Sequence, residues 1–240
     1  MNENGRFVLE VWGDLACFTR PELKVERFSY PVMTPSAGRG ILDAIYSKPV
    51  EFGWRVDRIE ILNPIRYIPL RRNEVKEKIS VRAIQAVMKA GGEVAPIIAD
   101  ATREMIGNDQ QGRTQRQTMA LVDVRYRVHA HIQPRPAFAG RLNALAAQMQ
   151  RRLDAGKCFY QPYFGCREFV AFFSQADASN NPPPQRIDLD LGYMVYDVFD
   201  LNTVDESGYA APKISVFHAF VKGGILDVPE YESEAVLKPR

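Results

Sequence analysis

The stretch Leu121-Val-Asp-Val-Arg-Tyr-Arg-Val-His-Ala-His-Ile-Gln133 decides how this chain folds. Successive residues of a β-strand point to opposite faces, so the stretch separates by parity. Val122, Val124, Tyr126, Val128, Ala130 and Ile132 make an almost wholly apolar row. Asp123, Arg125, Arg127, His129 and His131 make a polar row that turns cationic. The pattern predicts a strand with one face on a core and two arginines with two of the three histidines on the other. Two titratable imidazoles beside fixed positive charge suit work on a phosphodiester. The same alternation also describes the solvated face of an antiparallel sheet, and both readings stand at this point.

The 240 residues, 46% of them hydrophobic, suffice for one large domain or two small ones with a real core. No apolar run of about 18 residues is present, so no membrane-spanning helix is expected. Residues Met1 to Arg6 lack a stretch of signal-peptide type. Three cysteines, Cys17, Cys158 and Cys166, show no paired CxxC spacing. A reduced, cytoplasmic protein with no structural zinc and no cofactor is the natural expectation.

The net charge of +2 hides an asymmetry. Between Arg113 and Arg152 stand eight arginines against one acid, Asp123, whereas Arg186 to Arg240 holds five basic residues against ten acidic ones. A basic middle suits a polyanion, and an acidic C-terminal part suits another neighbour or simply solvent.

Outward from the central strand, Arg6 to Asp14 reads as a first strand with Phe7, Leu9 and Val11 on one face. Arg20, Lys24, Arg27, Phe28 and Tyr30 follow, and basic residues interleaved with aromatics can hold phosphates while stacking on bases. Thr34-Pro35 opens a helix through Ile41, Leu42 and Ile45 to about Tyr46, and Pro49 limits its continuation. Gly38 and Gly40 flank Arg39 in its first turns, where an anion could approach. Arg55 to Tyr67 reads as a second strand. A basic hairpin or loop with Arg71, Arg72, Lys76 and Lys78 comes next, then a short helix near Val81 to Ala90. Val94 to Ile98 fits an extra strand. Pro134 and Pro136 stop the central strand, and Phe138 to Ala155 is an amphipathic helix with Leu142, Leu145, Ala146, Met149 and Leu153 on one stripe. Strands are expected at Arg167–Phe173, Leu189–Phe199 and Ile214–Lys222 and after Gly223-Gly224, with Ser179 to Pro184 as a linker.

The order strand, helix, strand, strand, helix, strand predicts an α+β chain with a ferredoxin-like N-terminal domain, the arrangement of many RNA-binding modules. Residues 1–178 would form that RNA-binding and catalytic domain with insertions. Residues 186–240 would form a C-terminal antiparallel β-sheet domain.

Six segments taken together resemble one family. They are Val11-Trp-Gly-Asp-Leu-Ala-Cys-Phe-Thr-Arg-Pro-Glu22, Ser36-Ala-Gly-Arg-Gly-Ile-Leu-Asp-Ala-Ile-Tyr-Ser-Lys-Pro49, Val56-Asp-Arg-Ile59, Arg72-Asn-Glu-Val75, Gly165-Cys-Arg-Glu-Phe169 and Asp190-Leu-Gly-Tyr-Met194. In order and over nearly the whole chain, they resemble the CRISPR-associated Cas-five proteins of the repeat-associated (RAMP) superfamily, in their type I-C variant. The resemblance implies an endoribonuclease that cuts precursor CRISPR RNA at the base of the repeat hairpin. It also implies retention on the 5′ handle of the guide, in a complex with Cas-seven and Cas-eight type subunits. The family's active site is implied to combine a tyrosine near the end of the first helix with a lysine and a histidine on a later strand. Tyr46 matches the tyrosine and His131 the histidine. His129 stands at the lysine-like position, so the cationic role falls to His129 or Arg127.

The chemistry follows from the side chains. A base removes the ribose 2′-hydroxyl proton, the oxygen attacks phosphorus, an acid protonates the departing 5′-oxygen, and a 2′,3′-cyclic phosphate remains without help from a metal. Histidine suits either proton transfer near neutral pH. Tyr46 is given an orienting or hydrogen-bonding role, and Arg127 and Lys48 are candidates for charge stabilisation. Arg20, Lys24, Arg27, Arg39, Arg71, Arg72, Arg113 and Arg116 are the candidate RNA contacts, chosen by charge and context. Three alternatives accompany this reading: a non-catalytic subunit that binds the 5′ handle, a metal-dependent nuclease on DNA, and a metal held by His129 and His131. His218, in an apolar setting, reads as a structural histidine, and Cys158 and Cys166 as inert thiols.

Overall fold

The structure, a computed structural model, describes residues 5–23, 25–94, 96–98, 100, 103–106, 112–177, 179, 181–203 and 212–239. It is an α+β chain with a large antiparallel sheet and few helices. Two compact units divide it, residues 1–68 with 119–240, and residues 69–118.

In the larger unit, residues 121–134 of β5 (Arg113–Pro134) are flanked antiparallel by β1 (Arg6–Ala16) and β3 (Phe52–Ile61). The strand order is β10-β8-β9-β3-β5-β1-β6, with β7 on the free side of β8. Here β6 is Phe172–Gln175, β7 Leu189–Asp197, β8 Ser215–Lys222, β9 Ile225–Asp227 and β10 Val236–Leu237, and the two-residue β2, Arg27–Phe28, lies off this path. The Pro-rich segment expected to separate two domains does not coincide with the boundary between the compact units. Strand β9 pairs with β3, so residues 186–240 continue the sheet.

The parity of the central strand is realised in burial. Val124, Tyr126, Val128, Ala130 and Ile132 are buried, opposite Phe7, Leu9 and Val11 of β1 and Trp54, Val56 and Ile59 of β3. Val122 departs from the row. It is half-exposed and Leu121 is buried instead, because Asp123 adopts φ 54° and shifts the phase of the strand. An Asp tolerates this left-handed conformation, and Asn63 and Arg66 hold its carbonyl and carboxylate.

Two helices cover the apolar face. Helix α1 (Pro35–Ile45) starts where Thr34 Oγ1 accepts the Ala37 amide at 3.2 Å, and Pro35 lacks the N–H that would otherwise be orphaned. A Cβ at Gly38 would lie 3.4 Å from Val56 and 3.6 Å from Val128, so α1 rests on that row. The long helix after the central strand splits into a 3₁₀ turn, Pro136–Arg141, and the α-helix Leu142–Asp154, the last of four α-helices among the described residues (α4). Its Leu142 reaches the Ile132 side of the sheet next to Gly5, and Leu145, Ala146, Met149 and Leu153 are buried.

The sixth strand begins later than expected, at Phe172. Residues 163–170 instead make a tight loop closed by the Tyr163–Val170 bridge. Gly165 has φ +78° there, and a Cβ on it would stand 2.0 Å from the Cys17 carbonyl oxygen.

In the smaller unit, β4 (Tyr67–Val75) is a strand where a basic hairpin or loop was expected. Its burial alternates only between exposed and half-exposed, so no apolar row announces it. Helix α2 (Val81–Ala90) lies where expected, capped by Ser80 Oγ, and none of its residues is buried. The described residues between 94 and 98 form no strand, and a short α3 (Arg103–Ile106) follows.

Gly165→Ala should lower unfolding free energy by about 2 kcal/mol or more, since the added methyl meets backbone at an unfavourable φ. Gly140→Ala, with open space around it, is the control and should change little. Urea midpoints of the two variants against the parent check this.

Candidate active site and nucleic-acid interface

The polar row of β5 faces away from the helices; its Asp and Arg members each meet a partner of opposite charge, and its two histidines each meet a carboxylate. Asp123 pairs with Arg66 at 2.5 Å, and Arg125 with Glu10 of β1. Arg127 donates to Glu60 Oε2 at 2.5 Å, and His129 Nε2 lies 2.8 Å from Glu60 Oε1. His131 Nδ1 lies 2.8 Å from Asp57 Oδ1, and Arg6 approaches Asp57 at 3.8 Å. Asp57 and Glu60 both come from β3. The cationic face read from one strand is therefore a ladder of ion pairs across three strands.

A β-bulge supplies the partner of His131. Register along β3 runs Val56↔Ala130 and then Arg58↔His129, leaving Asp57 as the extra residue. The bulged residue aims its carboxylate at the neighbouring imidazole. Asp57 thereby occupies Nδ1 of His131 and leaves Nε2 as the ring nitrogen for a substrate. This is the orienting role a carboxylate plays for a catalytic histidine. His131 and His129 are 26% and 30% exposed at their side chains, enough to be reached from solvent. Arg127 is buried and also donates to the Pro182 carbonyl at 3.2 Å, so residues near 182 cover that part of the face.

Tyr46 and Lys48 lie elsewhere. Tyr46 closes α1, and its ring packs on Phe52 at 5.2 Å between centroids, on the helix side of the sheet. Phe52 continues into Trp54, and Trp54 into Phe7, opposite Ala130. Trp54 Nε1 donates to the Tyr46 carbonyl at 2.8 Å. The tyrosine expected beside the histidines is thus buried on the opposite face of the sheet. The physical reason is parity: α1 rests on the even row of β5, and the histidines belong to the odd row. Burial, partly offset by the nearby Lys48 charge, pushes the Tyr46 phenol above its ordinary value, so it keeps its proton near neutral pH. Lys48 Nζ binds Glu51 at 2.7 Å in the loop after α1.

The arginines chosen as RNA contacts are mostly engaged. Arg39 donates to Asp197 at 2.6 and 3.0 Å and to Asp43, pinning α1 to β7. Burial works against its charge, but the two carboxylates outweigh that and raise its pKa. Arg20 lies over the Tyr30 ring at 4.6 Å and 3.7 Å from Glu22. Arg27 approaches Glu168 at 3.7 Å and Cys166 Sγ at 3.4 Å. In the smaller unit, Arg72 and Arg116 both approach Glu74, while Arg71 and Arg113 are exposed. Lys24 lies outside the described residues. His218 is on an exposed position of β8, with Asp190 at 3.4 Å and the Tyr193 ring edge-on, rather than in the core.

A cavity of about 860 Å³ opens beside α1 in the larger unit, walled by α1, the start of β3, the loop around Tyr160 and the chain after β7. Arg55 and Arg135, neither singled out by sequence, line it. Asp57 and Glu60 were also missed, although two polar residues breaking the alternation of Arg55 to Ile61 are the mark of a bulge. Among the described residues, no group of three or more His, Cys, Asp or Glu side chains is arranged to hold a metal.

The model of the family described as CRISPR-associated protein (Cas_Cas5), Cas5d, matches residues 7–229. A CRISPR pre-crRNA endoribonuclease Cas5d of Mannheimia succiniciproducens is 40% identical over 239 residues, spanning 96% of this chain and 98% of the relative. The chain belongs to the Cas5d family. A second Cas5d of that description, from Thermus thermophilus, is 38% identical over 93% of this chain and 91% of the relative. Among solved structures, a CRISPR-associated protein superposes with TM-score 0.60 at 20% identity, over 97% of this chain and 96% of that one. A functionally uncharacterized protein of Streptococcus mutans gives 0.59 at 21% identity, over 97% of this chain and 96% of that one. These two likenesses speak of the fold. The Cas5d fold here is accordingly the α+β arrangement described above, with the polar row of β5 on its helix-free face.

Glu60 holds two partners, His129 and Arg127, and Arg127 is buried. Glu60→Ala should cost about 3–5 kcal/mol by leaving Arg127 buried without a counter-charge. Glu60→Ala with Arg127→Met should recover much of that loss. Denaturant unfolding of the single and double variants measures both.

Proposed function

We propose that this Cas5d chain is a CRISPR precursor-RNA endoribonuclease that cuts at the base of the repeat hairpin by attack of the ribose 2′-hydroxyl, without a metal. The description shared by the two long relatives supports the activity. The single observation that carries the mechanism is His131, with Nδ1 held by Asp57 at 2.8 Å and Nε2 left for the substrate. Nε2 takes the 2′-hydroxyl proton, or gives one to the departing 5′-oxygen. Asp57 fixes the ring and stabilises its charged form. His129 is assigned to the developing negative charge on the phosphorane, while Arg127, buried against Glu60, and Lys48, held by Glu51, are assigned to the positive field around the site. Tyr46, being buried, is assigned a positioning role through the helix end and the Lys48 loop it anchors.

The core of this chain is proposed to be ferredoxin-like. The order β1, α1, β3, β5, α4, β6 and the neighbour order β6-β1-β5-β3, with both helices on one face, support that reading. Residues 186–240 extend the same sheet as its C-terminal part. The product guide stays bound by its 5′ handle in a type I-C surveillance complex with Cas-seven and Cas-eight type subunits, where contact with target DNA also becomes possible. Arg20, Arg71 and Arg113 are the assigned phosphate contacts.

One observation favours a second reading, in which the chain binds the 5′ handle without cutting. Tyr46 and the histidines lie on opposite faces of the sheet, so the expected catalytic constellation is not assembled in one place. Incubation with repeat RNA in EDTA separates the two. The parent should cleave and leave a 2′,3′-cyclic phosphate. His131→Ala should lose about 10²–10⁴-fold in rate, and Asp57→Asn a smaller factor, with binding retained in both. Parent protein that binds repeat RNA but leaves it intact at every pH would establish the binding subunit instead.

A further inference from the structure

Many guanidiniums of the larger unit have a carboxylate within reach. Arg39, Arg58, Arg125, Arg127 and Arg141 each do so. Arg55 and Arg135 break that pattern side by side. Their donors go to neutral acceptors: Arg55 Nη2 to the Leu201 carbonyl at 3.1 Å and Asn202 Oδ1 at 3.4 Å, Arg135 Nη1 to the same Leu201 carbonyl at 2.9 Å. Two guanidiniums converging on one carbonyl oxygen are near neighbours. A Cβ at Gly53 would lie 3.4 Å from Arg55 Nη1 and 3.6 Å from Arg135 Nη2, so the glycine keeps the space between them open.

The acids nearby are occupied by other groups. Asp200 accepts from the Asn202 amide at 3.0 Å and the Thr203 hydroxyl at 2.9 Å, and Asp197 is taken by Arg39. The carbonyls orient the two side chains but cannot neutralise them. Burial holds the pKa of both below the ordinary arginine value, and for Arg55 the neighbouring Arg135 adds to the effect. Both remain charged near neutral pH, since arginine does not lose its proton in proteins. Two like charges, half-buried and adjacent, feel Asp197, Asp200 and Glu232 only at a distance, and with no carboxylate in direct ion-pair contact among the described residues they raise the energy of the empty site. An anion between them relieves it.

Both arginines line the 860 Å³ cavity, whose walls also carry the exposed rings of Phe159 and Tyr160. Charge and ring surface in one recess is the combination that single-stranded nucleic acid uses. We propose that Arg55 and Arg135 together clamp one backbone phosphate of the RNA at this cavity, on the face of the sheet that carries His131, the register partner of Arg55 across β3 and β5. A planar, bidentate donor fork on each side suits a phosphate's tetrahedral oxygens better than a lysine would. The site rests on the reading of this chain as an RNA-binding Cas5d protein. It adds a second place of contact beside the chemistry, one strand over from His131, where the RNA running on from that histidine would be gripped.

Binding of repeat RNA is measured for the parent, Arg55→Gln, Arg135→Gln and the double variant across a series of sodium chloride concentrations in EDTA. The double variant should bind about ten-fold more weakly, and its plot of log affinity against log salt should be shallower by roughly 0.7, the loss of one phosphate contact. Its Tm should stay level or rise, because two uncompensated charges are removed. A fall in Tm with an unchanged salt slope would mean that the pair is structural, and overturns the proposal. An unchanged slope together with failure to assemble with protein partners would assign the pair to a protein carboxylate, and also overturns it. Parent protein that ignores repeat RNA removes the functional reading itself, whereas variants that bind like an active parent remove only this site.

Discussion

The arrangement depends on one strand having to satisfy two incompatible surroundings at once. β5 is hydrogen-bonded on both sides, by β1 and β3, so neither edge is available to solvent. Its even residues supply the floor on which α1 and α4 rest. Its odd residues carry charge into a face that is partly covered. Burying Arg127 without a counter-charge would cost several kcal/mol, an appreciable share of the stability of a domain. Glu60 answers that constraint, and by doing so also fixes His129. The packing on one face and the electrostatics on the other are thus set by a single register between β3 and β5.

That register contains its own irregularity. The extra residue at Asp57 lets Val56 and Ile59 both remain buried while Asp57 and Arg58 both reach the polar side. Without the bulge, alternation alone would allow only one of the latter pair there. The local defect in the ladder is what gives His131 a carboxylate at hydrogen-bond distance. A strand error in the geometric sense becomes the orienting group of the candidate catalytic histidine.

Positive charge in this protein acquires its meaning from partners rather than from number. Arg39 is a bolt between α1 and β7, Arg127 a buried half of an ion pair, and Arg125 a cross-strand tie. Arg55 and Arg135 have only carbonyls to hold them, and they stand at a cavity. A tally of arginines along the chain cannot tell these cases apart. Attraction to a polyanion arises from charge left uncompensated after folding.

The sequence by itself determined what depends on local pattern. The period of two from Val124 to Ile132 marked the buried row, and Thr34-Pro35 with Pro49 bounded α1 to within a residue or two. The stripe of Leu145, Ala146, Met149 and Leu153 marked the buried side of α4. Strands without an apolar row, such as β4, left no such trace, and the Asp123 phase shift was invisible because it depends on one backbone torsion. The identity of His131 and Tyr46 as residues of interest came from family resemblance, but their separation onto opposite faces came only from folding. So did the pairing of His131 with Asp57, 74 positions apart in the chain, and the meeting of Arg55 with Arg135 at one carbonyl. Periodicity tells which side of its own element a residue occupies. Which residues from other elements share that side is decided by strand register and bulges, and those are properties of the assembled sheet.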